Sequence, residues 1–107
     1  MSNKYVTNSF SLNMMPGEGR FFEMQFRRIP VGEAKILAAG SYSFVGHEST
    51  AAVFSAELGL SVAHNRATLK LEIGDTVLVG QYSGQRLPEG ATSLPEGAAI
   101  EWWLIFL

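Results

Sequence analysis

His47 stands between Gly46 and the run Glu48-Ser49-Thr50, where the pattern predicts the mouth of a helix. Backbone N–H groups at a helix start point outward and attract anions. An imidazole there is placed to move a proton. Arg86 and Glu89 flank Leu87-Pro88 in a later turn. Proline stiffens that turn, and arginine is the two-pronged phosphate ligand. His, Arg and Glu are the side-chain types needed to hold a phosphodiester and transfer a proton at it. Each also has a plainer reading: a capped helix with an incidental histidine, and a surface ion pair of little energetic weight.

The other polar residues are less pointed. Ser49 and Thr50 either cap the helix or donate hydroxyls to a phosphate. Asn8 and Ser11, near the end of the first strand, read as residues that satisfy backbone groups. Arg66 follows Asn65 at a strand start and reads as a solvated edge residue. Gln81 sits in line with Val77 and Val79, so a buried or interfacial amide there needs a partner. His64 has no neighbour that recommends it and reads as a loop histidine. The sequence has no Walker loop, paired-glycine dinucleotide motif or serine elbow. Two histidines without a ligand-spaced partner argue against a metal site, and no cofactor is expected.

Elements must position these groups. A chain of 107 residues, 47% hydrophobic and 17% charged, is expected to fold as a single domain over residues 1–107. Residues 4–12 read as a strand, residues 15–19 as a turn, and residues 20–29 as a half-buried strand with Phe22, Met24 and Phe26 on one face. Pro30 starts a helix over residues 31–39, with Ile36 and Leu37 inward and Gly40 as its cap. Residues 42–45 form a short strand. A second helix over residues 48–58 places Ala51, Phe54 and Leu58 on one face, and Gly59 stops it. Residues 66–73 alternate, with Ala67, Leu69, Leu71 and Ile73 facing the core. Gly74-Asp75 then signals a hairpin that sets Arg66 opposite Ser83, Thr68 opposite Gln81 and Leu71 opposite Leu78. That register puts Arg66 and Gln81 on one polar face. Residues 84–97 are loop, and residues 100–107, apolar on both faces, form a central or interface strand. The fold class predicted is α+β, with a mixed, mainly antiparallel sheet and helices packed on one side.

Charge narrows the partners. A formal net charge of −2 lacks the basic field of a protein that binds long DNA or RNA, but a few arginines can hold a small anion. The absence of cysteine excludes disulfides and thiolate metal sites. No apolar run suggests a membrane span or signal peptide, so a cytoplasmic location is expected. Low charge with abundant aromatics points to an oligomer, and the doubly apolar strand 100–107 makes a homodimer the expectation.

The segments Asn8-Ser9-Phe10, Ser43 through Ala51, Leu58-Gly59-Leu60, Asn65-Arg66, Gly74-Asp75 and Arg86-Leu87-Pro88-Glu89-Gly90 resemble, in order and spacing, the anti-CRISPR ring nucleases and their viral and prokaryotic relatives. The resemblance implies a homodimer that binds cyclic tetra-adenylate across its twofold axis and cuts it without metal, switching off type III CRISPR signalling. It implies that His47 is catalytic, with Arg86 and Glu89 beside it. It also implies that Asn8, Ser11, Ser49, Thr50, Arg66 and Gln81 contact or support the ligand. The segment 17–28 and Glu101-Trp102-Trp103-Leu104 follow the family pattern less closely. A rival reading is a sponge that sequesters a cyclic nucleotide without cutting it.

Overall fold

The computed structural model describes residues 3–107. Its strands are β1 (Lys4–Thr7), β2 (Gln25–Ile29), β3 (Tyr42–Phe44), β4 (Thr76–Ser83) and β5 (Ala99–Phe106). Its α-helices are α1 (Val31–Ala38) and α2 (Glu48–Leu58), and a 3-10 turn spans Leu12–Met14. The strands form a five-stranded sheet in the order β2-β5-β4-β1-β3. β1 pairs parallel with β3 and with β4, and β5 pairs antiparallel with β4 and β2. The fold is α+β with a mixed sheet.

Both helices cover one face. Ala34 and Ala38 of α1, and Ala51, Phe54 and Leu58 of α2, share a core with Val6, Leu78, Trp102 and Leu104. Phe54 stacks edge-on to Trp102, with ring centroids 4.9 Å apart. Gly80 makes this contact possible, because a Cβ there would lie 2.5 Å from Phe54 Cζ and 2.7 Å from Trp102 Cζ3. Gly59 ends α2 in the left-handed conformation at φ 68°, as the sequence predicts. In α1 the inward residues are Ala34 and Ala38, while Ile36 is 74% exposed. The small alanines let the helix sit close, and Ile36 lies outside that stripe.

The opposite face holds a second core of Leu69, Leu71, Val77, Val79 and Ile105. Here the sequence reading needs correction. Residues 66–73 are not a strand, and no hairpin forms at Gly74-Asp75. Both edges of β4 are already taken, by β1 and by β5. The segment instead lies over the sheet as a strap, with Leu69 and Leu71 buried and Ile73 61% exposed. Leu71 N–H donates to Met14 O at 2.8 Å, tying the strap to the 3-10 turn. Alternating burial under a strap gives the same period-two signal as a strand. The expected pairings of Arg66, Thr68 and Leu71 across a hairpin therefore do not occur. β4 pairs with β5 instead, which sets Gln81 opposite Glu101.

Asp75, expected at a turn tip, is 1% exposed. Its carboxylate accepts from Asn3 N–H at 3.0 Å and Glu72 N–H at 2.8 Å. Its own backbone carbonyl accepts from Leu107 N–H at 3.1 Å. It thereby joins the start of the chain, the strap and the end of β5. Asp75→Ala is expected to destabilise the fold by about 3 kcal/mol, since two part-buried hydrogen bonds to a buried, charged acceptor are lost. In a thermal melt this is a drop in Tm of roughly 10–20 °C.

β5 is a central strand, which explains its apolar character on both faces. Trp102 and Leu104 face the helices, and Trp103 and Ile105 face the strap. β2 is a sheet edge, with only Ile29 buried. No helix among the described residues is long and apolar enough to cross a membrane.

Candidate functional site

β1, β3 and β4 run parallel to one another. Residues 8–11, residues 45–47 and the loop after Ser83 therefore leave the sheet at the same end, where open sheets commonly bind ligands. A cleft of about 340 Å³ opens there, lined by Asn8, Ser11, His47 and Arg66 among others. Among the described residues, no carboxylate lines it. A larger cleft of about 570 Å³ between Arg28, Glu57 and Glu101 carries carboxylates beside its arginine. It is the poorer anion site on charge alone.

His47 occupies the N-cap position of α2 with extended backbone, φ −126° and ψ 131°, and its side chain makes no capping bond. Its backbone carbonyl accepts from Ala51 N–H at 2.9 Å. The exposed imidazole is thus free for a ligand, next to first-turn amides that lack helical acceptors. The peptide before it is held from both sides. Gly46 N–H donates to Asn8 Oδ1 at 3.2 Å, and His64 Nε2 lies 3.3 Å from Gly46 O. The stem of Arg66 runs past Gly46, with its Cγ 4.0 Å from where a Cβ would stand. Neither His47 nor Arg66 forms an ion pair among the described residues.

The cleft has a rigid floor. Thr7 is 2% exposed, and its hydroxyl lies 3.1 Å from Ser9 O and 3.2 Å from Phe44 O. Asn65 Nδ2 donates to Ser43 O at 2.9 Å, and Asn65 N–H donates to Val45 O at 2.8 Å. These bonds fix the chain immediately before Arg66. Ser11 caps the 3-10 turn by accepting from Asn13 N–H at 3.2 Å.

The remaining expected residues lie outside the cleft lining. Ser49 and Thr50 occupy the first turn of α2, half-buried. Ser49 Oγ accepts from Gly90 N–H at 3.1 Å. That bond ties the loop of Arg86 and Glu89 to the helix that begins after His47. Arg86 and Glu89 are exposed and form no ion pair with each other, so the plain ion-pair reading does not hold. Gln81 is exposed rather than buried, because it lies on the strap face of β4 beyond Val79, where the strap-side core ends. Sequence reasoning missed the positioning roles of Thr7, His64 and Asn65. Their partners are remote in sequence, and nothing in their spacing signals them. No group of three or more His, Asp or Glu able to hold a metal ion occurs among the described residues.

The fold and site define an α+β protein with a carboxylate-free, polar cleft at the shared end of three parallel strands. The profile of the STIV B116-like family matches residues 4–101, and the chain belongs to that family. Its structure is similar to B116 of Sulfolobus turreted icosahedral virus, with a TM-score of 0.80 and 21% identity. The likeness covers 99% of this chain and 100% of that one, and at this identity it is one of fold. No curated protein sequence matches the chain.

Proposed function

We propose that the protein is a metal-independent ring nuclease that binds and cleaves cyclic tetra-adenylate and so switches off type III CRISPR signalling. The observation that carries this reading is the meeting of Asn8, Ser11, His47 and Arg66, remote in sequence, in one cleft without a carboxylate. An RNA ring brings its own nucleophile. The 2′-hydroxyl attacks the adjacent phosphorus and loses its proton to water. The bond from phosphorus to the 5′-oxygen breaks, leaving a 2′,3′-cyclic phosphate. His47 protonates the departing 5′-oxygen. Arg66 and the amides at the start of α2 hold the phosphate oxygens, and stabilise the charge that builds there. Arg86 and Glu89 act from the loop fastened at Ser49, with Thr50 and Gln81 at the margin of the ring.

The proposal includes a homodimer, in which a twofold axis presents two copies of His47 to opposite phosphates. Exposed Leu12, Phe21, Phe26 and Phe106 supply apolar surface for such a contact. A dimer is expected by light scattering at low micromolar concentration; a monomer there counts against the twofold arrangement. The activity is tested by incubating the protein with cyclic oligoadenylates in chelator and resolving products by chromatography. Linear products with 2′,3′-cyclic phosphate ends are expected. Tight binding without products favours the sponge instead, and no binding removes both.

A further inference from the structure

The cleft beside His47 has two chemically different walls, and the mechanism uses only one. Asn8, Ser11 and Arg66 account for a phosphate. The same cleft is also lined by Met14, Phe44 and Leu69, where the strap-side core reaches it. A phosphate gains nothing from these side chains. Three separate segments supply them. Phe44 ends β3 and pairs in register with Thr7, which pairs with Val79, so its ring stands on the strap face of the sheet. β3 is an edge of the sheet, and Phe44 is half-buried. Its ring meets Tyr5 in a T-shaped contact, with centroids 5.5 Å apart, which fixes its orientation. Met14, also half-buried, comes from the 3-10 turn, and its carbonyl accepts from Leu71 N–H at 2.8 Å. Leu69, 3% exposed, belongs to the core behind them.

The dimensions fit one nucleotide of a larger ligand. At about 340 Å³ the cleft lies at the small end of the usual range for ligand sites, roughly 300–1000 Å³. Phe44 and His47 are three residues apart, at most about 11 Å of chain. A phosphate held at His47 and Arg66 therefore has its own base within reach of Phe44. We infer that Phe44, with Met14, is the wall against which one nucleobase of the ring lies, and that this wall favours a purine over a pyrimidine; the inference rests on the ring-nuclease reading. The physical basis is area. A purine covers more of an apolar wall than a pyrimidine does, and contact with an aromatic side chain holds a base whatever its edge groups. The phosphate-binding residues cannot make this distinction, because every nucleotide presents them with the same phosphate.

The test titrates wild type, Phe44→Leu and Phe44→Ala with cyclic tetra-adenylate and cyclic tetra-uridylate, and follows single-turnover cleavage of the adenylate ring. Wild type is expected to bind the adenylate ring more tightly. Phe44→Ala is expected to weaken that binding roughly ten- to a hundred-fold, to weaken the uridylate ring less, and to leave the rate of cleavage of bound ring little changed. Phe44→Leu keeps an apolar side chain and should fall between the two; it carries the test if a thermal melt shows Phe44→Ala unfolded at the assay temperature. A variant damaged only in its fold loses both rings in proportion, so an equal loss for the two rings overturns the inference. Equal wild-type affinity for the two rings overturns it too. Unchanged affinity of the variants for the adenylate ring does the same, while cleavage by wild type leaves the ring-nuclease reading standing. A wild type that binds neither ring removes both readings together.

Discussion

His47→Ala is expected to lower the rate of ring cleavage by roughly 10²–10⁴-fold, the usual contribution of a positioned proton donor, while ring affinity changes little. The imidazole is exposed and does not cap α2, so the substitution removes a proton donor rather than a structural tie. The backbone carbonyl of residue 47 still accepts from Ala51 N–H. Gly46 remains fastened by Asn8 and His64. The helix should therefore keep its place, and a thermal melt of the variant should match wild type closely. Single-turnover assays separate this from a loss of binding: the saturated rate falls and the half-saturating concentration holds. Undiminished turnover in the variant would remove His47 from the mechanism.

The contrast between legible and illegible parts of this molecule follows from the range of the interactions. Helix α2 and its Gly59 stop depend on local periodicity and a local cap, and both are readable in the sequence. The apolar run of β5 is readable as a strand, and its central position agrees with its lack of a polar face. Residues 66–73 are misread because alternation reports burial on one side, whatever covers that side. Only the knowledge that β1 and β5 occupy both edges of β4 turns the predicted strand into a strap. Ile36 fails for a related reason. Hydrophobicity alone favours it over Ala34, yet close helix packing selects the smaller residue.

The same distinction governs the site. His47 at a helix mouth is a local feature, and its residue type already suggests its chemistry. Its meeting with Arg66 is not local. It requires β1, β3 and β4 to run parallel, and it requires Asn65 to bond back to Ser43 and Val45. The expected reason for grouping Arg66 with Gln81, a shared hairpin, is wrong. The strap brings Arg66 to Asn8 and Gly46 instead. The sequence reading ranked Arg86 above Arg66, whereas in the fold Arg66 lines the cleft and Arg86 stands on an exposed loop.

That reversal gives a second large effect. Arg66→Ala is expected to weaken ring binding roughly ten- to a hundred-fold per site, the loss of a charge-assisted bond of about 1.5–3 kcal/mol. Arg66→Lys should rescue poorly, because an ammonium does not reproduce the parallel hydrogen bonds of a guanidinium to two phosphate oxygens. The arginine makes no ion pair among the described residues, so its removal leaves no carboxylate stranded and the fold should tolerate it. Arg86→Ala serves as the comparison. Its loop is joined to α2 through Gly90 N–H and Ser49 Oγ, and in the proposed mechanism Arg86 acts from that loop. Its loss should lower both affinity and rate, and Ser49→Ala should reproduce part of the effect by releasing the loop. Titration of wild type and the four variants with cyclic tetra-adenylate at two salt concentrations measures all of this. Affinity for the ring should also fall as salt rises, and fall less steeply in Arg66→Ala, where one phosphate contact is gone. Arg66→Ala binding as tightly as wild type, with an unchanged salt dependence, would show that the cleft beside His47 does not hold the phosphate.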